Sequence, residues 1–208
     1  MPKGKTKTII WDINGIIADT VPYHLKAWQD IFQKRGVKFT EEDFSRHFGQ
    51  SDDTIIRTTL DKRTSPSQIY VIASEKDANY RRRVMQNVRP LPRTVKLIKS
   101  LKGRGCSIAL ASSTPVENIQ LVVRELDIEG FFQAIISGRD VKKRKPSPQG
   151  FWLAALKLGA EPENCIITED AVAGVSAAKR SGMHCLAITN THPNSKRDEI
   201  DNQSLNKM

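Results

Sequence analysis

Short apolar runs recur along the chain at 8–12, 106–111, 134–137, 164–167 and 184–188, each bounded by polar or turn-forming residues. Runs of this length without strict polar alternation predict strands buried on both faces. Between the later runs, apolar positions return at helical spacing over 93–103, 115–127, 148–159 and 171–181. That alternation of strand and helix predicts an α/β fold with a doubly wound parallel sheet. Pro115 and Pro148 suit the first turns of the helices they open, and Gly159 and Gly182 suit helix ends.

The stretch from 20 to 91 breaks this rhythm. Trp28, Ile31 and Phe32 recur at helical spacing and Gly36 closes that helix. Thr40-Glu-Glu-Asp has the form of a capped helix start with an acidic first turn, and Pro66 opens a further helix through Ile69, Ile72, Ala73 and Tyr80. Pro90 and Pro92 mark the return to the sheet. The pattern therefore divides the chain into an α/β core over 1–19 and 92–189, a helical insertion over 20–91 placed as a cap, and a polar tail over 190–208 without periodicity.

Composition narrows the classes. The 208 residues hold enough apolar content for one core and a modest insertion, and no run of about 18 apolar residues predicts a membrane span. The basic start lacks the apolar stretch of a secretory signal, so a cytoplasmic protein is expected. Cys106, Cys165 and Cys185 lie at the edges of apolar runs without metal-ligand spacing, and buried free thiols are expected. Net charge is +10, with basic runs at Arg81–Arg83 and Lys142–Lys145. These runs carry no interleaved aromatics and belong to no recognisable nucleic-acid module, so a solvated basic surface is expected and nucleic acid is not the expected partner.

Chemistry-bearing residues gather at the predicted strand ends. Asp12 ends the first apolar run, and Gly15 then lets the chain turn away. Ser112, Ser113 and Thr114 end the second, ahead of a helix, where hydroxyls and amides form a cradle for an anion. Lys145 stands between basic residues and the restricted segment Pro146-Ser147-Pro148. Glu169 and Asp170 end the fourth run, where two adjacent carboxylates repel unless solvated, paired or bound to a cation.

In this order, Asp12-Ile-Asn14-Gly15, Ser112-Ser113-Thr114, Lys145-Pro146-Ser147-Pro148 and Glu169-Asp170 resemble the four motifs of the haloacid dehalogenase superfamily. His24 and Lys76-Asp-Ala-Asn79-Tyr80 further resemble its β-phosphoglucomutase-like group with a helical cap. The resemblance implies a Rossmann-like core and a phosphatase acting on a small phosphorylated metabolite through an aspartyl-phosphate on Asp12. It implies Mg²⁺ held by Asp12, the Asn14 backbone carbonyl and Asp170, with Glu169 ligating directly or through water. Ser112, the Ser113 amide and Lys145 would hold the phosphoryl group, and His24 and Lys76 are cap candidates for substrate contact. Oligomeric state and substrate identity are not legible. Gln149 stands where many relatives have Asp, which leaves the local capping interaction open.

One letter departs from the family pattern. Asn14 occupies the position of the second Asp, the usual proton donor, and an amide cannot supply or accept that proton. Three readings stay open: a slow phosphatase or one suited to acyl phosphates, an Asp→Asn variant of an active enzyme, and a non-catalytic phosphate- and Mg²⁺-binding relative. A phosphoryl transferase of the β-phosphoglucomutase type is disfavoured, because Asp52 follows Gly49-Gln50-Ser51 where mutases of the family carry Arg for a second phosphate. Dehalogenases place Tyr at position 14. Phosphonate-cleaving relatives place Ala there and use a cap Lys; Lys26 and Lys76 read instead as exposed helical lysines.

Overall fold

The computed structural model describes residues 7–47 and 50–188. The polar tail, the first six residues and Gly49 lie outside the described residues. Five parallel strands form one sheet in the order β3-β2-β1-β4-β5, where β1 is Thr8–Trp11, β2 Ser107–Ala111, β3 Ala134–Ile136, β4 Cys165–Glu169 and β5 His184–Ala187. The doubly wound parallel sheet expected from the sequence is therefore present. β1 lies at its centre, pairing with β2 through Ile9–Ile108 and with β4 through Ile9–Ile166. The direction of winding reverses beside β1, so the loop that follows it opens into a crevice at the strand ends.

Strand side chains alternate between the two faces of the sheet. Ile9, Trp11, Ile108 and Leu110 pack with Ile98 of α5 (Thr94–Gly103) and Ile119, Val122 and Val123 of α6 (Val116–Glu125). Ile10, Ala109, Ala111 and Ile167 pack on the opposite face with Phe151 and Ala154 of α7 (Gln149–Lys157) and Ala177 and Ala178 of α8 (Val172–Ser181). Pro115 and Pro148 immediately precede α6 and α7 rather than lying in their first turns. Gly159 and Gly182 take positive φ just past α7 and α8, as a helix end requires.

Among the described residues four helices fill the insertion: α1 Val21–Gln33, α2 Glu41–His47, α3 Asp52–Thr59 and α4 Pro66–Val84. They bury a cluster of their own, in which Trp28 and Phe32 of α1 meet Phe44 of α2, Ile55 and Ile56 of α3 and Ile69 and Ile72 of α4. Thr40 and Asp43 exchange backbone-to-side-chain bonds at the start of α2, and Ser65 and Gln68 do the same for α4. The helix α3 has no counterpart in the apolar pattern, which offers only Ile55 and Ile56 as buried positions.

Several expectations change here. Cys165 is buried, but Cys106 and Cys185 are only half-buried, because each sits at an element margin. Lys76 is buried rather than exposed, at 2% of its accessible surface, because α4 lies between the other cap helices and the core. Lys26 is exposed. The run Arg81–Arg83 is divided: Arg81 donates to Asn118 on α6, Arg83 pairs with Asp30 on α1, and Arg82 faces solvent. No described helix is long and apolar enough to cross a membrane.

Beyond β2 and β3 the backbones converge. Gly138 N donates to Thr114 O at 3.1 Å, and a Cβ on Gly138 would fall 2.2 Å from the Ser113 carbonyl oxygen. The obstructing atom is backbone and cannot rotate away. Gly138→Ala is expected to cost about 1–3 kcal/mol through overpacking, read as a lowered urea midpoint; an unchanged midpoint would show that the two loops are free to separate.

Candidate active site

Asp12 follows β1 directly, with its amide bonded to Thr168 O of β4 at 3.1 Å. Gly15 at φ 74 then turns the chain back on itself, and Ile13, Ile16 and Ile17 bury that turn under the sheet. The Asp12 carboxylate accepts from Asn14 N through Oδ2 at 3.0 Å and from Lys145 Nζ through Oδ1 at 2.6 Å.

Lys145 is the junction of the site. Its ammonium also donates to Ala111 O at 3.2 Å and to Glu169 Oε1. Burial works against its charge, but Asp12 and Glu169 outweigh that penalty and raise its pKa, so it stays a cation. Gln149, in a position left open by the sequence, accepts from Lys143 N at 2.9 Å and closes the loop that carries Lys145. The Lys145–Pro146 peptide is cis.

Glu169 is 1% exposed. Its Oε2 accepts from Asp170 N and Ala171 N at the start of α8, while Oε1 faces Lys145. Burial and Asp12 push its pKa up, against the pull of Lys145. A Cβ on Gly174 would fall 2.0 Å from this carboxylate, so only glycine fits in that helix turn. These contacts turn Glu169 towards Lys145 and α8. Among the described residues no three His, Cys, Asp or Glu side chains are grouped as metal ligands. Asp12 and Asp170 are nevertheless both buried and both line one cavity. Two carboxylates and a neighbouring backbone carbonyl are hard oxygen donors, a chemistry that fits a small divalent cation completed by water.

That cavity has a volume of about 110 Å³ and lies between the core loops and the cap. Asp12, Asn14, Ser112, Ser113, Lys145 and Asp170 line it from the core, and His24 and Lys76 from the cap. The structure thus brings every sequence-derived site residue to one cavity. It adds Arg144, which the motifs did not single out. Thr20 and Thr114 hold the Asn14 amide from either side, Thr20 Oγ1 donating to Oδ1 at 2.7 Å and Asn14 Nδ2 donating to Thr114 Oγ1 at 2.8 Å. Arg144 and Asp52 line the cavity from opposite walls. Arg144 was concealed in a basic run.

His24 stacks on Tyr80 of α4 with ring centroids 4.0 Å apart, and its Nε2 is buried without a hydrogen-bond partner among the described residues. Burial, reinforced by the Lys76 charge, holds its pKa well below the usual 6.5.

Comparison with known proteins places these features. Residues 9–188 match the family described as haloacid dehalogenase-like hydrolase. The chain is 28% identical over 180 residues to fructose-1-phosphate phosphatase YqaB of Escherichia coli (strain K12), covering 86% of this chain and 95% of that protein. It is 30% identical over 195 residues to the β-phosphoglucomutase of Bacillus subtilis (strain 168), covering 90% and 85%. The crystal structure of β-phosphoglucomutase from Clostridium difficile superposes with a TM-score of 0.80 at 25% identity, over 97% of this chain and 100% of that one.

A histidine held neutral, with its Nε2 buried, has a consequence for pH. The unfolded chain binds a proton at His24 near pH 6.5 while the folded one does not, so stability is full above that pH and falls as pH drops below it. His24→Phe keeps a ring for Tyr80 and removes the titration. Wild type is expected to lose up to about 2 kcal/mol relative to this variant between pH 7 and pH 5, measured by urea unfolding; parallel curves would show that the fold leaves the His24 pKa where it is in the unfolded chain.

Proposed function

The chain belongs to the haloacid dehalogenase-like hydrolases, and from that premise we propose that it is a phosphatase of small phosphate monoesters, slowed by Asn14. The observation that carries this reading is Lys145, held between Asp12 and Glu169 on the cavity wall that also bears Ser112 and Ser113. Asp12 is the nucleophile. Its Oδ1 is fixed by Lys145 and its Oδ2 by the Asn14 amide, which restricts the carboxylate to few orientations. Ser112, the Ser113 amide and Lys145 receive the phosphoryl oxygens, and their fixed charges and dipoles stabilise a loose transition state without reorganising. Asp12, the Asn14 carbonyl and Asp170 would hold Mg²⁺, which when bound neutralises charge on the phosphoryl oxygens.

Attack of an Asp12 oxygen on phosphorus forms an acyl phosphate and releases an alkoxide, which takes a proton. Water then attacks phosphorus, loses a proton and regenerates Asp12. Asn14 sits where both protons would be handled, yet its amide is neutral and is bonded to Thr20 and Thr114. Good leaving groups, such as those of acyl phosphates, need no proton in the first step. The fructose-1-phosphate phosphatase and β-phosphoglucomutase among the relatives favour a sugar phosphate as substrate.

The test is Asn14→Asp, whose carboxylate can accept from the same two threonine hydroxyls. Phosphate release from sugar monophosphates with Mg²⁺ is expected to rise by about 10²–10⁴, and by less in the phosphoryl-transfer step from acetyl phosphate. Rates at background for both proteins on every phosphate monoester would instead favour a non-catalytic binding protein.

A further inference from the structure

Asn118 belongs to none of the site's motifs, yet it is fully buried and both ends of its amide are taken by one cap helix. Its Nδ2 donates to Asp77 Oδ1 at 2.9 Å, and its Oδ1 accepts from Arg81 Nη1 at 2.8 Å. Asp77 and Arg81 stand one turn apart on α4, so a single helix face offers an acceptor and a donor together. An amide answers both, because it carries a donor and an acceptor side by side. A carboxylate at 118 would face Asp77 with like charge, and an apolar side chain would leave buried polar atoms unpaired. On the core side, Asn118 lies in the first turn of α6, where its own amide and that of Ile119 bond to Pro115 O, directly after Ser112-Ser113-Thr114. On the cap side, the stretch of α4 that it grips bears two groups of the cavity. Lys76 pairs with Asp77 at 2.7 Å, and His24 stacks on Tyr80 with ring centroids 4.0 Å apart. The helix α4 joins the cap cluster through Ile69 and Ile72 and the core cluster through Tyr80 and Val84, and Asp77 falls between them. At the opposite end of α6, Gln86 N donates to Glu125 Oε2 at 2.8 Å, so the cap helix keeps an anchor on the core when the clamp is cut.

We propose that Asn118 is a positioning residue, which fixes α4 on the helix behind the Ser112–Thr114 loop and so sets where Lys76 and His24 face that loop across the cavity. It touches no substrate. The proposal rests on the phosphatase reading for what the cavity receives, and on the clamp alone for where the cap wall stands. Apolar packing is non-directional, so contacts such as Val84 against Val122 hold the two helices together without fixing their offset. Two hydrogen bonds to one amide fix distance and angle at once. Burial makes the register exacting, because a shift of α4 along α6 opens both bonds where no water replaces them.

The experiment combines amide hydrogen exchange with calorimetry on the intact protein in Mg²⁺. It compares wild type with Asn118→Asp, Asn118→Leu, the exchanged pair Asp77→Asn with Asn118→Asp, and the milder Arg81→Met, each checked by thermal melting. The single changes are expected to speed exchange over 74–82 by about tenfold or more, with β1 and β4 as protected as in wild type. In the exchanged pair an amide and a carboxylate again meet beside Arg81, so protection is expected to return. The dissociation constant of fructose 1-phosphate, the sugar phosphate named for one relative, should rise about three- to tenfold in the single variants and recover in the exchanged pair. Inorganic phosphate has no group to reach the cap wall and should keep its affinity throughout. Where a change at 118 alone prevents folding, Arg81→Met and the exchanged pair carry the same comparison. Wild-type exchange over 74–82 in every folded variant overturns the proposal, as does a sugar-phosphate affinity that stays constant while exchange rises. Equal weakening of both ligands shows general loosening and overturns it too. Binding of neither ligand by wild type, with the exchange pattern and its rescue intact, would defeat the phosphatase reading and leave Asn118 as the residue that fixes the cap wall.

Discussion

The shared ammonium of Lys145 is the interaction on which the arrangement depends. It touches the carboxylate at the end of β1, the carbonyl at the end of β2 and the carboxylate at the end of β4, so one side chain ties three strand ends together. Removing one partner of a buried ion pair typically costs about 3–5 kcal/mol, because the charges left behind are uncompensated. Two glycines make the geometry possible. Gly174 leaves room for Glu169 beneath α8, and Gly138 lets the loop after β3 approach Ser113. The site is therefore built from the backbone outward, with its charge placed last.

The cap supplies the opposite half. Its apolar cluster of Trp28, Phe32, Phe44, Ile55 and Ile56 packs without help from the sheet residues, while His24 and Asp52 reach the cavity. Thr20, just before α1, reaches back to Asn14, and Asn14 in turn reaches Thr114. The residue that departs from the family's motif is thus also a link between the beginning of the cap and the loop after β2. An Asp there can accept from both threonine hydroxyls, so it keeps the link while adding a negative charge and a group that can carry a proton.

Much of this was legible in the sequence, for physical reasons. Parallel strands buried on both faces leave short, unbroken apolar runs, and Asp12, Ser112, Lys145 and Glu169–Asp170 follow such runs or stand in a proline-restricted loop. What was hidden depends on partners distant along the chain. Lys76 reads as a surface residue on α4, and only the approach of α3 reveals Asp52 as its counter-ion. Glu169 reads in the sequence as a carboxylate beside Asp170, and the fold adds that the lysine 24 residues away and two amides of its own loop reach its oxygens. The helix α3 escaped notice because its exposed face is polar and its buried face contributes two isoleucines. Apolar periodicity reports which face of an element is buried; it does not report which charges meet.

The central claim is that Asp12, poised by Lys145, accepts a phosphoryl group that Asn14 cannot efficiently pass to water. Peptide mass spectrometry after incubation with acetyl phosphate and Mg²⁺ addresses it directly. A phosphoryl group is expected on Asp12 in the wild-type chain, persisting after donor is removed, absent in Lys145→Ala and short-lived in Asn14→Asp. An unmodified Asp12 in both the wild type and Asn14→Asp, with phosphate release from the same samples, would contradict the account.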